Sequence, residues 1–135
     1  IKGKRIIFTN GCFDLIHSGH VSYLESAKSF GDVLIVGLNS DRSITALKGK
    51  ERPINIESDR AHILAALEVV DYVVIFEQDT PYELIKYIQP NLIVKGGDYT
   101  VETVVGHDLA DVHLIPTVKG YSTTNIIENS KWAKV

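Results

Sequence analysis

The 135-residue sequence contains one cysteine, and this scarcity limits what the chain can be. A lone Cys12 excludes an internal disulfide and a zinc site built from cysteine pairs. A chain without disulfides is typical of a reducing compartment, so we expect a cytoplasmic protein. Long apolar runs are lacking too. None approaches the roughly 18 residues that a membrane-spanning helix needs, and no leader peptide is visible.

A surplus of positive charge is also missing. The 14 Lys and Arg residues are outnumbered by 17 Asp and Glu, which gives a formal net charge of -3. Because nucleic-acid binders usually carry a basic face, we expect no nucleic-acid partner. The length and a hydrophobic content of 44% predict one domain, residues 1–135, with its own core. Since the chain begins with Ile1 and not with Met, we expect a trimmed chain or a domain of a longer protein.

Apolar runs with strand character alternate with segments of helical spacing. The expected strands are Lys4–Thr9, Val33–Leu38, Tyr72–Phe76, Leu92–Val94 and Val112–Ile115, and the expected helices are Val21–Phe30, Ser58–Val69, Pro81–Ile88 and Thr123–Trp132. Ser58 is a suitable N-cap, and Thr80-Pro81 is a suitable helix start. The alternation predicts an α/β fold: a Rossmann-like doubly wound sheet of about five parallel strands with helices on both faces.

Glycine-containing loops follow two of the expected strands. Asn10–Asp14 follows the first strand, and Lys95–Tyr99 follows the fourth. In doubly wound sheets, ligands bind beyond the carboxyl ends of the strands, where the strand order reverses. If the first and fourth strands are neighbours, both loops flank one crevice. We therefore expect the functional site there.

The segment His17-Ser18-Gly19-His20 lies where a helix is expected to begin. Free N–H groups and the helix dipole favour an anion at such a point, and imidazoles can donate hydrogen bonds to phosphate. The pattern indicates a nucleotide phosphate site. The alternative is two ordinary histidines near a helix start, one of them capping and the other exposed.

Gly11–His20 resembles the signature of the cytidylyltransferase-like nucleotidyltransferases. Near the other end of the chain, Gly120–Thr124 is similar to the Gly-Ile-Ser-Thr-Thr motif of that family. Within the family, Leu92–Tyr99 and Asn39–Ser43 resemble the adenylyltransferase of ADP-heptose synthesis, as do Lys48-Gly49, Arg52-Pro53 and Asp59-Arg60-Ala61. One departure is Thr117, which stands where several cytidylyltransferases have an arginine. Another is the segment after Val105, which is shorter than in many relatives.

The resemblance implies a reaction between ATP and D-glycero-β-D-manno-heptose 1-phosphate, with Mg²⁺, that gives ADP-heptose and pyrophosphate. Catalytic charge stabilisation is implied for His17, His20 and Lys48, with no covalent intermediate. No residue is assigned as a metal ligand, although Asp98 could help to hold Mg²⁺. Nucleotide binding is implied for residues of the loops and of two helix starts: Asn10, Gly11, Cys12, Phe13, Gly19, Gly96, Asp98, Ser122, Thr123 and Thr124. Binding of the sugar phosphate is implied for Asp14, Lys48 and Arg52. A homodimer, and fusion to a sugar kinase domain in a longer chain, are further expectations from the resemblance.

Other interpretations remain open. The same chemistry could use CTP with glycerol 3-phosphate or another small phospho-alcohol, or the fold could serve as a non-catalytic nucleotide-binding module. Lys48 could belong to a solvated charged loop, Asp98 could be a plain cap, and Cys12 could simply pack. A dehydrogenase is disfavoured because the first loop lacks Gly-x-Gly-x-x-Gly. The class I aminoacyl-tRNA synthetases share the histidine motif, but they are much longer.

Overall fold

The computed structural model describes residues 3–116, which form a five-stranded parallel sheet with helices against it. The strands are β1 Ile6–Gly11, β2 Val33–Asn39, β3 Tyr72–Phe76, β4 Leu92–Gly96 and β5 Asp111–Ile115. The helices are α1 Ser18–Lys28, α2 Asp41–Lys48, α3 Glu57–Ala66 and α4 Tyr82–Ile88, with one 3₁₀ turn at Val101–Thr103. The predicted α/β class is confirmed.

The strand order is β3-β2-β1-β4-β5, so the direction of winding reverses between β1 and β4. Residues Ile7 and Phe8 of β1 lie opposite Leu92 and Ile93 of β4. The first and fourth strands are therefore neighbours, as the site prediction requires. The loops that follow them leave the same edge of the sheet side by side.

Each face of the sheet carries its own apolar core, because successive strand residues point to opposite sides. On one face, Ile7 and Leu34 pack with Leu24 of α1 and Leu64 of α3. On the other face, β1 and β4 pack against α4 through Phe8, Ile93 and Ile85. All of these side chains are fully buried. Burial of each contributes roughly 1.5–3 kcal/mol, and together they fix the sheet that carries the site.

Helix α2 is absent from the sequence prediction, which left Lys48 in a flexible loop; that expectation is wrong. Ser40 caps this eight-residue helix by accepting a hydrogen bond from Ser43 N, and Lys48 is its last residue. Gly49, at φ 101°, ends the helix in the left-handed region that glycine tolerates. The helix was missed because it has only two turns and consists mostly of polar residues.

The predicted bounds of two other helices also need correction. Helix α1 begins at Ser18 and not at Val21, because the histidine motif itself supplies its cap. Helix α3 begins at Glu57 after Ile56, so the predicted N-cap Ser58 is wrong. The expected helix Thr123–Trp132 lies outside the described residues. Among residues 3–116, no helix has the length and apolar character needed to cross a bilayer.

Candidate active site

A cavity of about 280 Å³ opens at the carboxyl ends of β1 and β4. This is the crevice at which the strand order reverses, the usual ligand position in such sheets. Its wall consists of the loop after β1, the start of α1 and the end of β4. The lining residues are Asn10, Gly11, Cys12, Phe13, His17, Gly19, His20, Tyr23, Lys95, Gly96, Gly97 and Pro116.

His17 and His20 form a reciprocal cap at the start of α1. His17 Nδ1 accepts a hydrogen bond from Gly19 N at 3.1 Å, and His20 Nδ1 accepts one from His17 N at 3.1 Å. A neutral imidazole that accepts at Nδ1 carries its proton at Nε2. Helix capping therefore fixes both rings in the tautomer whose Nε2–H is a donor. Capping was expected of one histidine and is observed for both, and the donor role of these side chains towards phosphate stays a prediction.

Burial keeps these two imidazoles neutral near pH 7. Desolvation, the larger cause, and the adjacent His17 ring together lower the pKa of His20 to about 4. Burial also lowers the pKa of His17. The two ring centroids are 3.9 Å apart, so two imidazolium charges would repel strongly. Without an anion, the cavity thus presents uncharged N–H donors beside the positive end of the α1 dipole.

The loop between β1 and α1 has an unusual backbone. Phe13 and Leu15, neither of them glycine, have φ angles of 48° and 55° in the left-handed region. Such conformations cost energy and concentrate at functional sites. A Cβ on Gly11 would lie 3.0 Å from the Phe13 ring, so a side chain there would have to displace this ring slightly. Phe13 in turn is buried and holds its ring 5.5 Å from that of His20.

Asp14 lies behind the cavity wall and fastens a second loop to it. Its carboxylate is buried and accepts hydrogen bonds from Ile54 N at 2.7 Å and from Asn55 N at 2.9 Å. Arg52 Nε lies 3.6 Å from the same carboxylate. The loop before α3 is thereby held against the histidine segment. Substrate contacts by Asp14 and Arg52 stay predictions.

Arg60 is a buried clamp that sequence reasoning did not assign. Its side chain is fully buried in α3 and donates to Cys12 O, Asn39 O and Asn55 O at 2.8–2.9 Å. It also pairs with Asp41 Oδ1 at 2.7 Å. These bonds join the loop after β1, the end of β2 and the starts of α2 and α3. Arg60 lies one helical turn before Leu64, and this spacing from an apolar residue was the available sequence signal of its burial.

Tyr23 and Lys95 were also missed. Tyr23 OH donates to Val94 O and accepts from Thr9 Oγ1, and burial raises its pKa to about 12. A Cβ on Gly96 would lie 3.1 Å from the Tyr23 ring, so the glycine leaves the cavity open. Lys95 Nζ donates to a backbone carbonyl across the crevice, and burial lowers its pKa. Tyr23 lies one turn after His20, and Lys95 lies within the recognised Leu92–Tyr99 segment, but neither was assigned a role.

The structure brings together most of the residues that the resemblance assigns to the nucleotide. Lys48 and Asp98 are the exceptions: both side chains are exposed and neither lines the cavity. Their roles stay predictions, as do those of Ser122, Thr123 and Thr124, which lie outside the described residues. The predicted nucleotide-binding residues that do line the cavity are Asn10, Gly11, Cys12, Phe13, Gly19 and Gly96, together with the predicted catalytic pair His17 and His20.

A protein-built metal site is not found within residues 3–116, where no three His, Cys, Asp or Glu side chains group suitably. The described part of the cavity wall contains no carboxylate, the ligand that Mg²⁺ prefers from proteins. Magnesium is commonly bound through substrate phosphates and water. The donor set therefore does not fit a resident metal ion, and any Mg²⁺ would enter with a nucleotide.

Comparison with known proteins identifies the family. The family model described as "Cytidylyltransferase-like" matches residues 8–129. The chain is 63% identical to "Bifunctional protein HldE" of Nitratiruptor sp. over 131 residues, 96% of this chain but 28% of that protein. It is 64% identical to "Bifunctional protein HldE" of Aliarcobacter butzleri over 127 residues, 93% of this chain and 27% of that one. The chain thus spans little more than a quarter of these relatives.

Solved structures share the fold of this chain. A lipopolysaccharide core biosynthesis protein from Thermoplasma volcanium superposes with a TM-score of 0.71 at 26% identity, covering 89% of this chain and all of that one. A pantoate-beta-alanine ligase from Francisella tularensis, at 20% identity and a TM-score of 0.66, shares the fold. The resemblance predicted from Gly11–His20 is confirmed. The chain belongs to the cytidylyltransferase-like family.

Proposed function

We propose that this domain is a sugar-phosphate adenylyltransferase that joins ATP and D-glycero-β-D-manno-heptose 1-phosphate. The products are ADP-heptose and pyrophosphate, for lipopolysaccharide core or other surface glycan synthesis. The observation that carries the proposal is the pair of Nε2–H donors fixed at the start of α1 in a cavity at the strand-order switch. Membership of the cytidylyltransferase-like family supports the reaction class.

The proposed reaction needs charge stabilisation and no covalent step on the protein. An oxygen of the sugar phosphate bonds to the α-phosphorus of ATP, and the bond from that phosphorus to the bridging oxygen breaks. The electron pair leaves with pyrophosphate. His17 and His20 donate to triphosphate oxygens, and these hydrogen bonds strengthen as negative charge develops. Loss of one such donor typically costs roughly 2.7–4 kcal/mol of transition-state stabilisation.

The choice of ATP and of a heptose phosphate rests on relatives, so it is part of the proposal. High identity to proteins named HldE supports it, as does similarity to a lipopolysaccharide core biosynthesis protein. Mg²⁺ bound to the triphosphate would neutralise phosphate charge. A cytoplasmic location, a homodimer and fusion to a sugar kinase domain belong to the same proposal. The greater length of the relatives supports a fusion.

The test is pyrophosphate release from each of four nucleoside triphosphates paired with a panel of sugar and alditol phosphates. We expect turnover with ATP and heptose 1-phosphate, and an ADP-heptose product by mass spectrometry. Turnover with CTP alone, for instance with glycerol 3-phosphate, would contradict the adenylyl assignment. If nucleotides bind but no pair reacts, the domain is a nucleotide-binding module and the proposal fails.

A further inference from the structure

The pairing between β1 and β4 stops before either strand ends. Two residue pairs join these strands, and Phe8 with Ile93 is the second of them. Beyond this pair, β1 continues along β2 to Gly11, and β4 continues along β5 to Gly96. The two central strands therefore separate after Phe8 and Ile93. The cavity of about 280 Å³ opens at this split, and residues from both strand ends line it.

The register of β1 and β4 shows which backbone bond the split removes. A continued ladder would next pair Thr9 with Val94. Ile6 O accepts from Asn91 N at 2.9 Å, so the backbone groups of Ile6, and of every second residue after it, face β4. In a parallel ladder such a residue donates its N–H to the residue before its partner. Asn10 N–H would therefore donate to Val94 O if the strands stayed together.

The Tyr23 hydroxyl takes the place of that ladder bond. It donates to Val94 O at 3.0 Å, and Thr9 Oγ1 lies 2.6 Å from the same hydroxyl oxygen. Because the tyrosine proton is used on the carbonyl, Thr9 is the donor in the second bond. Burial raises the pKa of Tyr23 to about 12, so the hydroxyl keeps its proton near neutral pH. A side chain of α1 thus joins β1 to β4 where their backbones have separated.

The Val94 carbonyl can be satisfied in two ways, and they differ in the width of the cavity. Thr9 and Val94 are fully buried, and a buried carbonyl without a donor is costly. When the Tyr23 hydroxyl donates, the strands stay apart. Without that hydroxyl, the register offers Asn10 N–H, which would draw β1 and β4 together. The cavity would then narrow, because Asn10 and Gly96 line it from the two strands.

Tyr23 also connects the split to the histidine segment. It lies on α1 one turn after His20, and its ring lines the cavity. A Cβ on Gly96 would lie 3.1 Å from this ring, so the ring rests directly against the end of β4. The tyrosine therefore fixes how far the start of α1 stands from β4. A second bridge, from the half-buried Lys95 Nζ to Asn10 O at 3.1 Å, spans the same two strands.

We propose that Tyr23 is a positioning residue whose hydroxyl keeps β1 and β4 apart and so sets the width of the nucleotide cavity. The inference rests on the proposed function for the ligand, a nucleoside triphosphate. The apparent affinity of a ligand falls with the fraction of molecules whose site is open. Loss of the hydroxyl should therefore weaken nucleotide binding by the folded protein. The chemical step should change little, because His17 and His20 keep their Nε2–H donors.

The kinetic test uses Tyr23→Phe and Thr9→Val, which each remove one hydroxyl group at nearly constant shape. Tyr23→Phe should raise the Kd of a non-hydrolysable ATP analogue and the KM for ATP roughly 5–10-fold, the effect of about one hydrogen bond. The kcat should stay within about threefold of wild type, as expected when ground state and transition state lose the same binding. Thr9→Val should raise both constants by a smaller factor, whereas Thr9→Ser, which keeps the hydroxyl, should stay near wild type.

Two comparisons separate positioning from a merely structural role. Tyr87→Phe, at an exposed tyrosine of α4, is the matched control and should change neither constant. The double variant Thr9→Val/Tyr23→Phe should bind the ATP analogue no more weakly than Tyr23→Phe, because both substitutions break the same bridge. A lower melting temperature of Tyr23→Phe with unchanged Kd and KM would overturn the proposal. Additive losses of affinity in the double variant would overturn it too.

A second test needs neither nucleotide nor turnover. Scalar coupling through the hydrogen bond between Asn10 N and the Val94 carbonyl carbon is measured by NMR in the ligand-free, isotope-labelled protein. We expect no coupling in the wild type and a measurable one in Tyr23→Phe, where the ladder can extend. A coupling in the wild type, or none in the variant, would overturn the proposal. If the couplings are as expected but no nucleotide reacts, the proposed function fails and the role of Tyr23 at the split stands.

Discussion

Replacement of Arg60 should destabilise the fold more than any exposed charge substitution. The side chain is fully buried and makes four hydrogen bonds. Three of them go to backbone carbonyls that belong to three different segments of the chain. In Arg60→Ala these carbonyls lose their donor inside the protein. Asp41 also loses its partner, but its side chain is 36% exposed and water can solvate it.

The expected loss follows from these bonds. A hydrogen bond from a charged group is worth about 1.5–3 kcal/mol, and removal of one partner of a buried ion pair typically costs about 3–5 kcal/mol. Because the contributions overlap and the loops relax, we expect Arg60→Ala to lower the free energy of unfolding by about 3–5 kcal/mol. In Arg60→Lys the charge is kept, but the lysine side chain cannot reach three carbonyls at once. We therefore expect this variant to lose about 2 kcal/mol of unfolding free energy. The total free energy of unfolding of a domain of this size is roughly 5–15 kcal/mol.

The assay is equilibrium urea unfolding of the wild type, both Arg60 variants and two controls. Asp41→Asn removes only the partly exposed end of the clamp, and we expect a loss below about 1 kcal/mol. Arg42→Ala changes an exposed arginine on α2 and should be nearly neutral. A loss below 1 kcal/mol for Arg60→Ala, or one equal to that of Asp41→Asn, would refute the reasoning. It would mean that the three carbonyl contacts contribute little.

Three further predictions concern the cavity itself. His17→Ala and His20→Ala should each lower kcat by roughly 10²–10³ in the pyrophosphate assay; near wild-type rates would refute charge stabilisation by these donors. Because the folded pKa of His20 is about 4, below its unfolded value near 6.5, its contribution to stability is present above pH 6.5 and is lost as pH falls towards 4. The melting temperature of the wild type should therefore drop more than that of His20→Gln between pH 7.5 and 4.5, whereas parallel curves would contradict this. Gly96→Ala should cost about 1–3 kcal/mol in urea unfolding by overpacking against Tyr23, and additivity with Tyr23→Ala in a double-mutant cycle would rule that contact out.

Much of the fold was predictable because the sheet is parallel and covered on both faces. Val33–Asn39 and Leu92–Val94 are almost continuous apolar runs, which are typical of parallel strands covered on both faces. Their alternation with helices predicts the class. The glycine-containing loops indicated a shared crevice only on the condition that the first and fourth strands are neighbours, which the sequence alone did not establish. Helix α2 was not predictable in this way, because it buries only Ser43 and Ile44.

The candidate site was predictable where its residues are close in sequence. His17 and His20 are three positions apart, so a local rule places both at one helix start. Arg60 and Lys95 contact the site through residues 48 and 85 positions away, at Cys12 and Asn10. Charged residues are usually exposed, so the spacing of Arg60 from the apolar Leu64 was only a weak signal of its burial. Their roles follow from the strand order, which brings distant segments to one edge.

The charges of this cavity explain why its histidines are held neutral. Among the described lining residues, Lys95 is the one whose side chain is ordinarily charged near pH 7, and desolvation of this half-buried side chain lowers its pKa. If His17 and His20 were also protonated, three cations would converge at one sheet edge and destabilise the empty protein. Neutral rings with Nε2–H donors avoid this cost and still bind phosphate. A phosphate next to them favours the charged imidazole, so their stabilisation of charge grows during the reaction, when negative charge increases.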